Sequence, residues 1–147
     1  MLIDQEKIRE LIPHTGSMCL LAGVSWFDST HISCIAKSHL DTHNPLARNG
    51  KIHALCGIEF AAQAMAVHGG LTGLVDERPR AGLLVSVRDV MTQVEYLSDF
   101  TEDLRIDAEQ LLAENSSVCY NFALHAGEKE LLRGRATVVL NSEGVDP

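Results

Sequence analysis

A chain of 147 residues and 16.1 kDa, 46% apolar and 22% charged, has the size and makeup of one ordinary globular domain spanning residues 1–147. Its net charge of −8 argues against broad nucleic-acid binding. No apolar run reaches the roughly 18–20 residues of a membrane span, and the acidic, amphipathic opening Met1–Lys7 is unlike a signal peptide. The expected compartment is the cytoplasm. Cys19, Cys34, Cys56 and Cys119 are scattered through apolar surroundings without a C-x-x-C pair, which suits free thiols in a reducing environment.

In chain order, Asp4 to Leu11 reads as a short helix, with Ile8, Leu11 and Ile12 at helical spacing, Asp4 as N-cap and Pro13 as terminator. Met18–Asp28 and His31–His39 read as strands joined by Asp28-Ser29-Thr30. A polar connection over 40–52 carries the turn signals Asn44-Pro45 and Asn49-Gly50. The segment His53–Gly70, HALCGIEFAAQAMAVHGG, is rich in Ala, Leu, Met and Gln and poor in β-branched residues, and it closes on a Gly pair suited to a C-cap. Apolar on nearly every face, it predicts a buried helix. Residues 81–97, 103–114, 117–126 and 130–140 alternate as strands. One apolar helix beside a run of antiparallel strands implies an α+β fold in which the sheet wraps the helix.

Glu59 is the prominent chemical residue. It sits among apolar helix residues with Gln63 four positions on, hence on the same face. Burying a carboxylate is costly unless it is paired, hydrogen-bonded or neutral, and a carboxyl kept protonated by desolvation can act as a general acid. The bland alternative is a Glu59–Gln63 face turned to water or to a subunit contact. A partner base would be a histidine. His43 lies in the loop entering the helix and His53 at its first turn, while His14, His31, His39, His68 and His125 read as solvated or packed. Neither H-E-x-x-H nor other paired His/Cys spacing suggests a metal, no G-x-S-x-G marks a serine hydrolase, and Gly69-Gly70-Leu71-Thr72-Gly73 follows a helix instead of opening one, unlike a phosphate loop. Cys56, three residues before Glu59, reads as structural.

Leu11-Ile12-Pro13-His14-Thr15-Gly16-Ser17-Met18-Cys19-Leu20-Leu21 resembles the opening segment of bacterial 3-hydroxyacyl-ACP (acyl carrier protein) dehydratases. Glu59-Phe60-Ala61-Ala62-Gln63 resembles their central-helix E-x-x-x-Q, and Gly82–Val90 the strand that follows. The likeness covers roughly residues 5–140. It is closer to the short hotdog dehydratase branch with aryl-polyene-associated members, through Asn44-Pro45-Leu46, Gly57-Ile58-Glu59 and Ala61-Ala62-Gln63-Ala64-Met65-Ala66. The resemblance implies a hotdog fold and a hydro-lyase working on a 3-hydroxyacyl thioester in fatty-acid-like or polyene biosynthesis. Glu59 would be the acid and His43, in preference to His53, the base, although the Phe-Pro that follows the family's histidine is missing after His43. Gln63 would position Glu59, and the Ala54 N–H would polarise the thioester carbonyl. The resemblance further implies no metal or redox cofactor, an acyl chain on the phosphopantetheine of acyl carrier protein or coenzyme A, and a homodimer or heterodimer with another hotdog subunit, or a higher oligomer, in which loop and helix come from different subunits. Arg48, Lys51, Arg78, Arg80 and Arg88 could offer an acidic carrier protein a basic patch. The alternatives are an acyl-thioester hydrolase on the same fold and a non-catalytic hotdog subunit.

Overall fold

A computed structural model describes residues 1–12, 18–73, 82–114 and 117–140. The chain runs β1 (Ile3–Asp4), α1 (Gln5–Leu11), β2 (Gly23–Phe27), β3 (His31–Ala36), α2 (Gly57–Thr72), β4 (Gly82–Thr92), β5 (Leu104–Glu114), β6 (Ser117–Ala126) and β7 (Lys129–Leu140). The strands form one sheet in the order β1-β2-β3-β5-β6-β7-β4, antiparallel at every pairing. This is the expected α+β hotdog layout.

Period-two alternation sets which face meets the helix. Ile32, Cys34 and Ala36 of β3, Leu104, Ile106 and Ala108 of β5, and Val118, Tyr120, Phe122, Leu124 and Ala126 of β6 are all buried and join one core with Phe60, Ala61, Ala64, Met65 and Val67 of α2. Small residues let α2 approach closely. A Cβ on Gly57 would stand 2.5 Å from Leu132 Cδ2 and 3.0 Å from Leu124 Cδ2, so the helix start lies directly on β6 and β7.

Four boundaries differ from the sequence reading. The strand predicted from Met18 begins only at Gly23, because the Leu20 N–H and Met18 carbonyl bond the side chain of Gln63 instead of a neighbouring strand. Beyond β3, Ser38–Leu40 tighten into a single 3₁₀ turn. The strand predicted to run to residue 97 ends at Thr92. Beyond it the backbone pairs with the helix entry, Ala54 N–H to the Glu95 carbonyl and Leu97 N–H to the Ile52 carbonyl, both at 2.8 Å. The central helix proper starts at Gly57, after a 3₁₀ turn over Ala54–Cys56, and passes through Gly69-Gly70 to end at Gly73, whose φ of 79° takes the left-handed cap. At the other end of the chain, the Asp4 carboxylate caps α1 by accepting from Lys7 N–H at 3.0 Å. Pro13, His14, Arg78, Arg80 and the Asn115-Ser116 break lie outside the described residues.

Candidate active site

The Glu59–Gln63 pair sits in the first half of α2, and helix geometry alone brings the two side chains together. Gln63 is 1% exposed, and every hydrogen-bonding direction of its amide that the site uses is fixed. Its Oε1 accepts from Leu20 N–H at 2.9 Å, and its Nε2 donates to the Met18 carbonyl at 2.7 Å and to Glu59 Oε2 at 3.2 Å. A flipped amide would set nitrogen against the Leu20 N–H and oxygen against the Met18 carbonyl, so only one orientation satisfies the site. Glu59 is half-buried. Its carboxylate is therefore held by an amide that is itself anchored to the segment before β2.

That segment continues the chain of contacts. The Leu20 carbonyl accepts from Ser38 Oγ at 2.9 Å, and the Ser38 carbonyl accepts from Asn44 Nδ2 at 2.9 Å. Asn44 is buried, and its Oδ1 accepts from Leu46 N–H at 2.9 Å. A hydrogen-bonded bridge thus links Glu59 through Gln63, Leu20 and Ser38 to Asn44, the neighbour of His43. The sequence reading takes Asn44-Pro45 as a turn signal and, with Leu46, as part of the family likeness, but gives Asn44 no bracing role, because its burial is not visible in the sequence.

The two candidate bases differ sharply. The His53 Nδ1 accepts from Leu55 N–H at 3.0 Å, so the ring caps the 3₁₀ turn with the lone pair a base would need, and in the neutral ring the proton sits on Nε2. It packs edge-on to Tyr96 with centroids 5.9 Å apart. The His43 side chain is 94% exposed, with its Nδ1 3.7 Å from Asp41 Oδ1. The same carboxylate oxygen accepts from the His43 N–H at 2.9 Å. So exposed a ring is not packed against the Glu59 of its own chain.

The Ala54 N–H, expected to polarise a thioester carbonyl, is bonded in this structure to the Glu95 carbonyl at 2.8 Å. At the helix entry the Leu55 N–H is bonded to the exposed His53 ring at 3.0 Å. The remaining described histidines lie elsewhere in the fold. His68, expected near the helix end, lies inside α2 and is fully buried. Its Nε2 is 2.9 Å from the Asp28 carbonyl, which can only accept, so Nε2 carries the proton and Nδ1 accepts from Tyr120 Oη at 2.8 Å. Burial lowers the His68 pKa and raises that of Tyr120. His39 is buried and donates through Nε2 to the Phe100 carbonyl at 2.9 Å. His31 and His125 lie on the sheet face away from α2. Among the described residues, no group of three or more His, Cys, Asp or Glu side chains is placed to hold a metal ion, and no helix is long and apolar enough to cross a membrane.

Met18, Leu40 and Leu55, on the segments that precede β2, follow β3 and enter α2, are exposed. Arg48 and Lys51 pair across a turn between the latter two.

Residues 6–145 match the family described as ApeP-like, ApeP dehydratase. The chain belongs to the ApeP-like dehydratase family. None of the curated proteins compared matches it in sequence. Among solved structures it is similar to the dehydratase heterocomplex ApeI:P from Xenorhabdus doucetiae, at 23% identity and a TM-score of 0.82, covering 92% of this chain and 91% of that one. It is also similar to a mutant of the thioesterase PA1618 from Pseudomonas aeruginosa (16% identity, TM-score 0.66, 96% and 97% covered). A third is Cj0977, a sigma28-regulated virulence protein from Campylobacter jejuni (15%, 0.66, 97% and 93%). At these identities the structural likenesses establish the hotdog fold, and the dehydratase assignment rests on the family match.

Proposed function

We propose that this ApeP-like chain removes water from a 3-hydroxyacyl thioester carried on the phosphopantetheine of an acyl carrier protein, in fatty-acid-like or polyene biosynthesis. The observation that carries the reading is the Glu59 carboxyl held by a Gln63 amide whose orientation the Leu20 N–H and Met18 carbonyl dictate. Such preorganisation suits a group that must meet one departing hydroxyl.

In the proposed β-elimination, a histidine takes the C2 proton and the C2 electron pair forms the double bond to C3. The C3–O bond breaks as Glu59 delivers its proton, and water leaves. His43 is the better base because its ring is not spent on capping and Asp41 stands beside its Nδ1, leaving Nε2 to accept. The Leu55 N–H, released by His53, is the donor for the thioester oxygen. No metal or redox group takes part in these steps.

The exposure of His43 supports a composite site in which the histidine loop of one subunit meets the Glu59 of another. The partner is a second hotdog subunit, identical or different. The ApeI:P structure is a heterocomplex, and β4 here is a long edge strand that invites pairing. The test is hydration of 2-enoyl thioesters, on carrier protein and on coenzyme A, by the chain alone and with its hotdog partner. Loss of chromophore consumption in Glu59→Gln and His43→Ala, with retention in His53→Ala, supports the assignment. Release of free thiol in its place would point to the thioester hydrolase, and neither signal in the complex would leave a non-catalytic subunit.

A further inference from the structure

The sheet face turned away from α2 carries an ordered charge pattern that the dehydratase reading does not use. Cross-strand register defines three rows over β5, β6 and β7: Glu109–Asn121–Arg135, Asp107–Ala123–Arg133 and Arg105–His125–Glu130. Each row has opposite charges on β5 and β7, two strand spacings or roughly 10 Å apart, with Asn121, Ala123 or His125 on β6 between them. The first two rows are acidic on β5 and basic on β7, and the third is reversed. A trough of about 520 Å³ runs between the stripes, lined by His31, Asp107, Glu109, Asn121, Arg133 and Arg135 among others. Trp26 and Met91, both about half exposed, stand at opposite ends of the middle row, Trp26 beside Ser33 on β2 and Met91 beside Arg133 on β4.

We propose that this face is a self-association surface, on which a second copy of this chain docks sheet to sheet about a two-fold axis running along β6. Rotation about such an axis carries β5 of one copy over β7 of the other without moving a row along the strand. Glu109 then meets Arg135, Asp107 meets Arg133 and Arg105 meets Glu130, each pair occurring twice, so all three rows are matched by a single operation. An axis in the same plane but perpendicular to the strands would set β5 on β5 and β7 on β7, which also pairs opposite charges in the outer rows but stacks Asp107 on Asp107 and Arg133 on Arg133 in the middle row. The pattern therefore favours the axis along β6, the one that matches every row. Face-to-face sheets stand about 10 Å apart; arginine side chains rooted on β7 span that gap and fill the trough of the opposite copy. Within one copy most of these groups make exposed contacts, such as His31 Nε2 to Glu109 Oε2 at 3.5 Å, Arg133 Nε to Glu130 Oε2 at 3.7 Å and Arg105 Nε to Asp107 Oδ2 at 2.8 Å, which cost little to exchange, while Asp107 Oδ1 also accepts from half-buried Ser33 Oγ at 2.7 Å. His31 and Arg88 extend the first row by one strand on each side, where sheet twist carries the two faces apart. The association leaves the helix side of the sheet, with Glu59, untouched, so it stands or falls independently of the proposed chemistry.

The test exchanges charges at two exposed positions, Glu109→Arg and Arg135→Glu. Molar mass is measured by sedimentation over a range of concentrations, and circular dichroism checks that each variant is folded. Each variant alone places like charges together at two symmetry-related points, and its sheet-to-sheet step is expected to weaken by roughly tenfold or more. An equimolar mixture of the two restores opposite charges at both points and returns the step to near the wild-type concentration dependence. Added salt weakens the wild-type step. Identical masses for wild type and both variants would overturn the proposal, as would two weakened variants that fail to recover on mixing.

Discussion

Replacing Gln63 by Met tests whether the amide is what holds the site. The two side chains are similar in volume, so the change removes hydrogen bonds while leaving little cavity. The Leu20 N–H that Gln63 Oε1 satisfies is buried, and stranding it costs about 1–3 kcal/mol. The Met18 carbonyl belongs to an exposed residue and can take water instead, which adds at most about 1 kcal/mol. The expected loss is therefore about 1–4 kcal/mol, a fall of roughly 2–16 °C in melting temperature for a chain of this length. Activity should fall further than stability explains, by about a hundredfold in kcat, because Glu59 loses the donor at 3.2 Å that aims it. Thermal melts and enoyl-thioester hydration at a temperature where both proteins are folded separate the two effects. Gln63→Glu sharpens the test, since it keeps an acceptor for the Leu20 N–H but sets a carboxyl oxygen against the Met18 carbonyl and Glu59. That variant should lose more stability at neutral than at acid pH, where the introduced carboxyl is protonated and can donate. A Gln63→Met protein that melts with the wild type and turns over at the wild-type rate would refute the reasoning.

Gly57→Ala places a methyl 2.5 Å from Leu132 Cδ2, pushing the start of α2 off the sheet; denaturant titration should show a loss of about 1–3 kcal/mol, and an unchanged midpoint would contradict that packing. His68 has a depressed pKa in the fold because of burial, partly opposed by the Asp28 carbonyl, and His39 shifts the same way for the same main reason. The unfolded state then binds more protons, so this stability is fully present above about pH 6.5 and is lost as pH falls below it. Urea midpoints measured from pH 8 to pH 5 should decline (roughly the range where a histidine titrates), with a shallower slope in His68→Gln. Burial, and to a lesser degree the Asp107 charge, pushes the Cys34 thiol up to about 12, so maleimide labelling of the native protein should modify half-buried Cys56 and Cys119 well before Cys34. Labelling of Cys34 at their rate would mean that β3 opens in the native state.

The parts of the site legible in the sequence were those in which a residue's neighbours lie on its own element. The pairing of Glu59 with Gln63 follows from helical spacing, and the burial of α2 from its all-round apolar composition. The strands β5, β6 and β7 were placed to within a residue because their alternation is enforced along their whole length by the helix on one side and solvent on the other. The errors fell where backbone groups choose partners from far along the chain. Met18 and Leu20 look like strand residues, and their backbone groups are claimed by Gln63; Ala54 looks like the open end of a helix, and its N–H is claimed by Glu95. The Gly69-Gly70 pair offered a plausible C-cap, and the helix ran on to Gly73, where the left-handed φ is actually used.

The choice of base shows the same division at the level of single atoms. In the sequence His43 and His53 are two histidines flanking a helix entry, and only the family resemblance prefers His43. The ring nitrogens separate them in the structure: the Leu55 N–H occupies one lone pair of His53, whereas His43 stands in solvent with Asp41 at its side. The bridge from Glu59 to Asn44 then acquires a purpose under the proposed chemistry. A loop that must present its histidine to another subunit cannot be braced by contacts made by that histidine, so it is braced one residue away by the buried Asn44. The brace runs through Ser38 and Leu20 to the same Gln63 that aims the acid. Asn44→Ala should therefore lower kcat while leaving Glu59 and His43 chemically intact, and its loss should be no larger when combined with Gln63→Met than for Gln63→Met alone, because both changes break one connected network. Strictly additive losses in that double-mutant cycle would show that loop and helix are positioned independently.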